Sequence, residues 1–346
     1  MVGPVAWVRN RFGERGVAVA LLLTLLALAV VPLVALPAAR CKIFGSGCHE
    51  PGSEPGARAD PVATERALSP IEAATWGSYV ALGDSYSSGV GSEATVSDHN
   101  PLDRCHRTSK AYYHEVSKAF QFAKDSGFWA CSGATTADVL TGKGGEPPQI
   151  NRIGPETSLV TLSIGGNDVG FSKVLAGCVV KLPWSKDCTR QGEDIAARMA
   201  ELRTSLPDLL DKITAKAPRA RVIVMGYPKA FSEVSGVDGD NITVSDQRWL
   251  NGRAHDLGKL IQQSAVEADA RIAARNGRGS VEFVDAYSAF AGHEVGSEEP
   301  YMNGLALNLS ALEAEPRSYH PTAAGQQALA GLFVEQIKKG PGRPLS

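Results

Sequence analysis

The chain carries no surplus of either charge. Its 35 lysines and arginines face 37 aspartates and glutamates, for a net charge of −2. That excludes the basic excess of a nucleic-acid-binding surface, so no nucleic-acid partner is expected. Aromatic residues make up only 7% of its 346 positions, too few for a base-stacking platform. Paired CxxC spacing and an HExxH stretch are both missing, so the common zinc signatures are absent. No internal repeat is visible, which excludes a solenoid or a propeller. The rest is ordinary globular chemistry: 43% hydrophobic and 21% charged residues exclude a wholly disordered chain. At roughly 150 residues per domain the length suggests two domains, but a single α/β domain can exceed about 250.

A long apolar run occurs at the N-terminus. Arg9, Arg11 and Arg15 precede 23 uncharged residues, Val17 to Ala39, broken only by Thr24, Pro32 and Pro37. At about 1.5 Å per residue this run can cross a bilayer core, and its basic flank fits a cytoplasmic N-terminus. Two readings stay open. One is a signal peptide, cleaved at Ala27-Leu28-Ala29 or less well at Pro37-Ala38-Ala39. The other is an uncleaved anchor, attaching the protein to the membrane through residues 17–39. Arg40 before Cys41 disfavours a lipoprotein, which needs a small residue there. Either open reading exports the remainder, as a secreted protein or one anchored on the outer face.

The six cysteines agree with export, where an even count reads as disulfides. Sequence proximity suggests the pairs Cys41–Cys48, Cys105–Cys131 and Cys178–Cys188. Residues 40–75, with Pro51, Pro55, Pro61 and Pro70 among several glycines, read as a flexible linker without a core. Residues 76–346 then form the folded domain. Strand candidates are 78–82, 128–131, 159–164, 221–225 and 281–285. Helical patterns cover about 109–124, 194–216, 246–275 and 322–338. Alternation of apolar strands with helices predicts a five-stranded parallel sheet covered on both faces, a three-layer flavodoxin-like α/β domain. In such folds ligands sit at the carboxyl ends of the strands.

The predicted strand ends carry the chemistry. The first ends in Gly83-Asp84-Ser85, where a serine at a strand–helix junction suits a nucleophile; a helix N-cap serine is the plainer alternative. The second ends in Cys131-Ser132-Gly133, whose glycine leaves a backbone N–H open to a substrate. The third ends in Gly165-Gly166-Asn167-Asp168, where the Asn amide can donate to a developing oxyanion; a plain turn is the alternative. His320, in Ser318-Tyr319-His320-Pro321-Thr322 before the last helix, can act as a general base. Each motif is weak alone; the ordered set is specific.

In that order Ser85, Gly133, Asn167 and His320 resemble the SGNH (GDSL-type) hydrolases over roughly residues 77–338. The resemblance is closest to the secreted actinomycete lipase and esterase branch, which shares Tyr79 through Gly89, Cys105-His106-Arg107, Ile164 through Asp168 and Ser318 through Gly325. It implies ester hydrolysis through an acyl-enzyme on Ser85, with His320 as base and no cofactor or metal. The Ser85 and Gly133 N–H groups and the Asn167 amide would hold the oxyanion. Many relatives place an Asp three residues before the His; here that residue is Arg317, which cannot accept a hydrogen bond. The resemblance therefore favours the Ser318 carbonyl as the group orienting His320, with Glu315 or Glu313 as alternatives. Arg317 is a solvated charge or a contact for an anionic substrate. An exported, monomeric lipase or esterase is expected. A phospholipase, a cell-wall polysaccharide deacetylase, or a non-catalytic surface-binding protein on the same scaffold are the alternatives.

Overall fold

The computed structural model describes residues 67–93, 104–179, 188–234, 242–308 and 313–345, together with 19 and 22–25. The chain divides into two compact units, Met1–Thr64 and Glu65–Ser346. In the first, Val19 and residues 22–25 are helical. Among the described residues no helix is long and apolar enough to cross a membrane. Most of the 17–39 run, with Cys41 and Cys48, lies outside the described residues.

The second unit begins earlier than composition suggests. Residues 67–75, read as linker, belong to the fold. Helix α1 (Pro70–Thr75) starts on a capping box in which the Ser69 side chain accepts from the Glu72 N–H and Glu72 reaches back to Ser69. Pro70 stands at a first-turn position where its missing N–H costs nothing. Two small residues, Ala73 and Ala74, are all this helix must bury, so a proline-rich composition does not preclude it.

Five parallel strands follow: β1 (Ser78–Gly83), β2 (Gly127–Phe128), β3 (Thr157–Ser163), β4 (Arg221–Met225) and β5 (Ser280–Val284), in the order β2-β1-β3-β4-β5. This is the expected flavodoxin-like order. Every residue of the central β3 is buried, as helices on both faces require. The second strand is shorter than expected. It lies at the sheet edge, and only isolated bonds continue it, from Trp129 N–H to the Ala81 carbonyl and from Cys131 N–H to the Gly83 carbonyl, both 2.9 Å.

The flanking helices are α2 (Ser85–Ser88), α3 (Tyr112–Ala119), α4 (Thr136–Thr141), α5 (Phe171–Val179), α6 (Gly192–Lys216), α7 (Val244–Ala274), α8 (Ala286–Ala289) and α9 (Ala323–Lys339). A small antiparallel pair, β6 (Leu307–Asn308) with β7 (Glu313–Ala314), precedes α9. Helix α9 packs on α3 and α1, while α6 packs on α7. Among the described residues two disulfides are formed, Cys105–Cys131 and Cys178–Cys188.

The end of the sheet away from the strands' carboxyl termini is tied by a buried ion pair. The Arg221 guanidinium meets both Glu282 oxygens at 2.8 and 2.7 Å, and donates to the carbonyls of Pro70, Ile337 and Gln336 at 2.7, 2.7 and 2.9 Å. Glu282 also accepts from Ser280 Oγ and Gln336 Nε2, each at 2.7 Å. Both charges are thus hydrogen-bonded on all sides, the condition for burying such a pair.

Candidate active site

The turn from β1 into α2 places Ser85. Asp84 is the N-cap of α2, so the capping role goes to the aspartate and not to the serine. Its carboxylate accepts from the Tyr86 N–H and Ser163 Oγ, each at 3.0 Å, and from the Tyr227 hydroxyl. Burial pushes Asp84 up to about 6, against the lowering effect of these donors. Ser85 Oγ is left facing His320, 2.7 Å from Nε2.

His320 comes from the loop before α9. Its Nδ1 lies 3.0 Å from the Ser318 carbonyl oxygen. A carbonyl only accepts, so Nδ1 carries the proton and Nε2 turns its lone pair to Ser85 Oγ. Arg317 Nε donates to Glu315 at 2.7 Å, so Glu315 binds the arginine and the arginine is not a bare cation at the site. The side chain of Glu313 lies outside the described residues.

The oxyanion candidates come from the loops after β2 and β3, and these loops are tied together. Asn167 Nδ2 donates to the Ala134 carbonyl at 3.0 Å, leaving its second N–H for another acceptor. Asp168 accepts from the Thr136 N–H at 3.1 Å and from its hydroxyl at 2.5 Å. Gly133 has φ +74 and sits two residues beyond the Cys105–Cys131 bridge, with Ser132 N–H bonded to the Cys105 carbonyl at 3.0 Å. Ser85, Gly133, Asn167, Ser318 and His320 all line one cavity of about 440 Å³. Its far walls are apolar: Phe171, Leu175 and Val179 of α5, Leu250 and Leu257 of α7, and Phe231. Among the described residues no group of His, Cys, Asp or Glu could hold a metal ion.

The family model of the GDSL-like lipase/acylhydrolases matches residues 81–328. The chain belongs to that family. It is 35% identical to Lipase 1 of Streptomyces coelicolor over 276 residues, covering 78% of this chain and 89% of that one. It is 34% identical to a lipase of Streptomyces rimosus over 256 residues, covering 72% and 82% of the two chains. Among solved structures, phospholipase A1 from Streptomyces albidoflavus NA297 superposes with a TM-score of 0.62 at 34% identity, covering 76% of this chain and 100% of that one. The chain is a carboxylic ester hydrolase, and the disulfides Cys105–Cys131 and Cys178–Cys188 are consistent with export.

Two parts of this GDSL-like site escape a reading by motif. Tyr227, just beyond β4, accepts from the Gly166 N–H at 2.8 Å and donates to Asp84, so one hydroxyl joins the turns after β1 and β3. The ring approaches so closely that a Cβ on Gly166 would lie 2.8 Å from Tyr227 Cζ, which requires glycine there. The edge-on contact of Tyr227 with Tyr86 (centroids 5.1 Å) continues to His320, whose ring is 5.2 Å from that of Tyr86. The strand-end rule points to Tyr227, since it follows the fourth strand by two residues. The other part is α5, a short helix that forms the apolar wall.

Burial pushes His320 down to about 4, with the Ser318 and Pro316 carbonyls opposing it. A general base must be neutral. The kcat/KM for a p-nitrophenyl ester is therefore expected to hold as pH falls below the usual histidine range and to drop with a midpoint near pH 4. On stability His320 and Asp84 oppose each other. His320, lowered from 6.5 to about 4, makes stability fall as pH drops through that interval. Asp84, raised from 3.8 to about 6, makes stability rise as pH drops from above 6 toward 3.8. A midpoint near pH 6.5 in the rate profile would contradict the lowering of His320 by burial.

Proposed function

We propose that this hydrolase cleaves lipid-type esters outside the cytoplasm through an acyl-enzyme on Ser85. Ser85 Oγ attacks the acyl carbon while His320 Nε2 takes its proton. The N–H groups of Ser85 and Gly133 and the Asn167 amide stabilise the tetrahedral oxyanion. Collapse expels the alcohol, which receives the proton from His320. Water, activated by the same imidazole, then attacks the acyl carbon and releases the acid and Ser85. The Ser318 carbonyl orients the ring in place of a carboxylate, and its partial negative charge favours the imidazolium.

The observation that carries the lipid reading is the apolar cavity that starts at the Ser85–His320 pair and runs to α5 and α7. An apolar cleft with a few convergent polar groups at one end suits a hydrocarbon chain ending in an ester. Export rests on the run at 17–39, which acts as signal peptide or anchor, and residues 40–66 act as a linker. The Streptomyces rimosus lipase of known structure, 30% identical, is described as extracellular, which supports this reading.

The test is a p-nitrophenyl ester series from acetyl to palmitoyl. The expected kcat/KM rises from acetyl to a medium or long chain. An optimum at acetyl would overturn the lipid reading in favour of a deacetylase.

A further inference from the structure

His320 sits at the end of a strained turn. Arg317 to His320 form a β-turn, closed by the His320 N–H bonded to the Arg317 carbonyl at 3.1 Å. Tyr319, the third residue of that turn, has φ +56, a left-handed conformation that suits glycine or asparagine and not tyrosine. Such a residue persists only where its surroundings hold it. The same turn carries the Ser318 carbonyl that meets His320 Nδ1. A carbonyl on a turn can hold an imbalanced ring only as firmly as the turn itself is held.

The holding contacts come from the stretch of chain that carries Ser85. The Tyr86 hydroxyl donates to the Tyr319 carbonyl at 2.9 Å. Burial, with the nearby Asp84 charge, pushes this phenol above its usual range, so it keeps the proton it donates. Tyr86 is itself fixed. Its N–H donates to Asp84 at 3.0 Å, and its carbonyl accepts from Gln326 Nε2 in the first turn of α9, also at 3.0 Å. On the other side of the histidine, the His320 carbonyl accepts from the N–H and the Nδ2 of Asn303, at 2.9 Å each. Asn303 Nδ2 also donates to the Gly91 carbonyl at 2.9 Å. The carbonyls before and after the His320 Cα are therefore both tied to residues 86–91, one directly and one through Asn303.

We propose that Tyr86 is a positioning residue for the reaction, its hydroxyl holding the His320 turn at the reach of Ser85, with Asn303 as the second anchor. This rests on the Ser85–His320 mechanism above. The two residues act through the placement of His320 and carry no proton in either half-reaction. Because the imidazole serves both acylation and deacylation, a misplaced base slows the two together and leaves KM where it was.

Tyr86→Phe removes one oxygen and keeps the ring. With p-nitrophenyl butyrate, kcat is expected to fall about tenfold at unchanged KM, as loss of one buried hydrogen bond acting on the base would give. Inactivation by a p-nitrophenyl alkylphosphonate, which reads attack by Ser85 alone, slows by the same factor. Asn303→Ala, which keeps its backbone bond to His320, loses about threefold in the same manner. Rates are taken per site titrated to completion with the phosphonate, so unfolded protein does not count. A lower melting temperature with parental kcat per titrated site would overturn the proposal, as would a raised KM at unchanged kcat. If Ser85→Ala is inert and Tyr86→Phe keeps the parental kcat, this inference falls alone. If Ser85→Ala retains turnover, the mechanism falls with it.

Discussion

Ser85→Ala is expected to leave a folded protein whose kcat for any ester is lower by about ten-thousand-fold or more. The serine oxygen faces His320 across 2.7 Å, and it is Asp84 that caps the short helix. Removing Oγ therefore takes away the attacking atom without unpicking the turn, and the thermal midpoint should stay within a few degrees of the parent. His320→Ala is expected to lose a similar factor, and the double variant little more, because nucleophile and base act as one unit. Steady-state rates on a p-nitrophenyl ester, with thermal melts of the same samples, provide the check. Residual turnover above about one per cent in Ser85→Ala would remove this serine from the mechanism.

The second large effect is on stability, at the far end of the sheet. Arg221→Met strands the Glu282 carboxylate in a dry environment and strips a donor from the Pro70, Ile337 and Gln336 carbonyls. Breaking a buried pair from one side typically costs about 3–5 kcal/mol. The expected result is a large drop in the urea midpoint, with kcat unchanged in whatever fraction remains folded. Arg221→Met combined with Glu282→Met should recover much of the loss, since no charge is then left unpaired. A single variant within about 0.5 kcal/mol of the parent would mean that water reaches this pair.

The parts of this fold that the sequence reveals are those governed by local pattern. Arg221–Met225 reads as a strand with its observed bounds, because four uninterrupted apolar residues, Val222 to Met225, follow a proline-terminated helix and Arg221. Ser85, Gly133, Asn167 and His320 are legible because each stands beside its own strand end or helix start. The side of the site that is hard to read is built from tertiary contacts. Tyr227 looks like any tyrosine after a strand, and only the bonds of its hydroxyl with the Gly166 N–H and Asp84 give it a place. Helix α5 is nine residues long with a glycine inside it, too short to show a clear period. Helix α1 is a different case. Its Ser69-Pro70-Ile71-Glu72 start is a legible capping box, obscured by the prolines and glycines that precede it.

The two ends of the folded unit meet: Leu68 N–H bonds to the Leu345 carbonyl at 2.8 Å, and Arg221 holds α1 and the end of α9 together. A ribosome makes these partners at opposite times. While the nascent chain is still short of α9, Arg221 lacks the Ile337 and Gln336 carbonyls, and Ser85 lacks His320, 235 residues downstream. Closure of the fold and completion of the reactive pair therefore fall together at the end of synthesis. On the proposed mechanism, a chain still being made, or one cut short before residue 320, has no base to activate Ser85 against an ester.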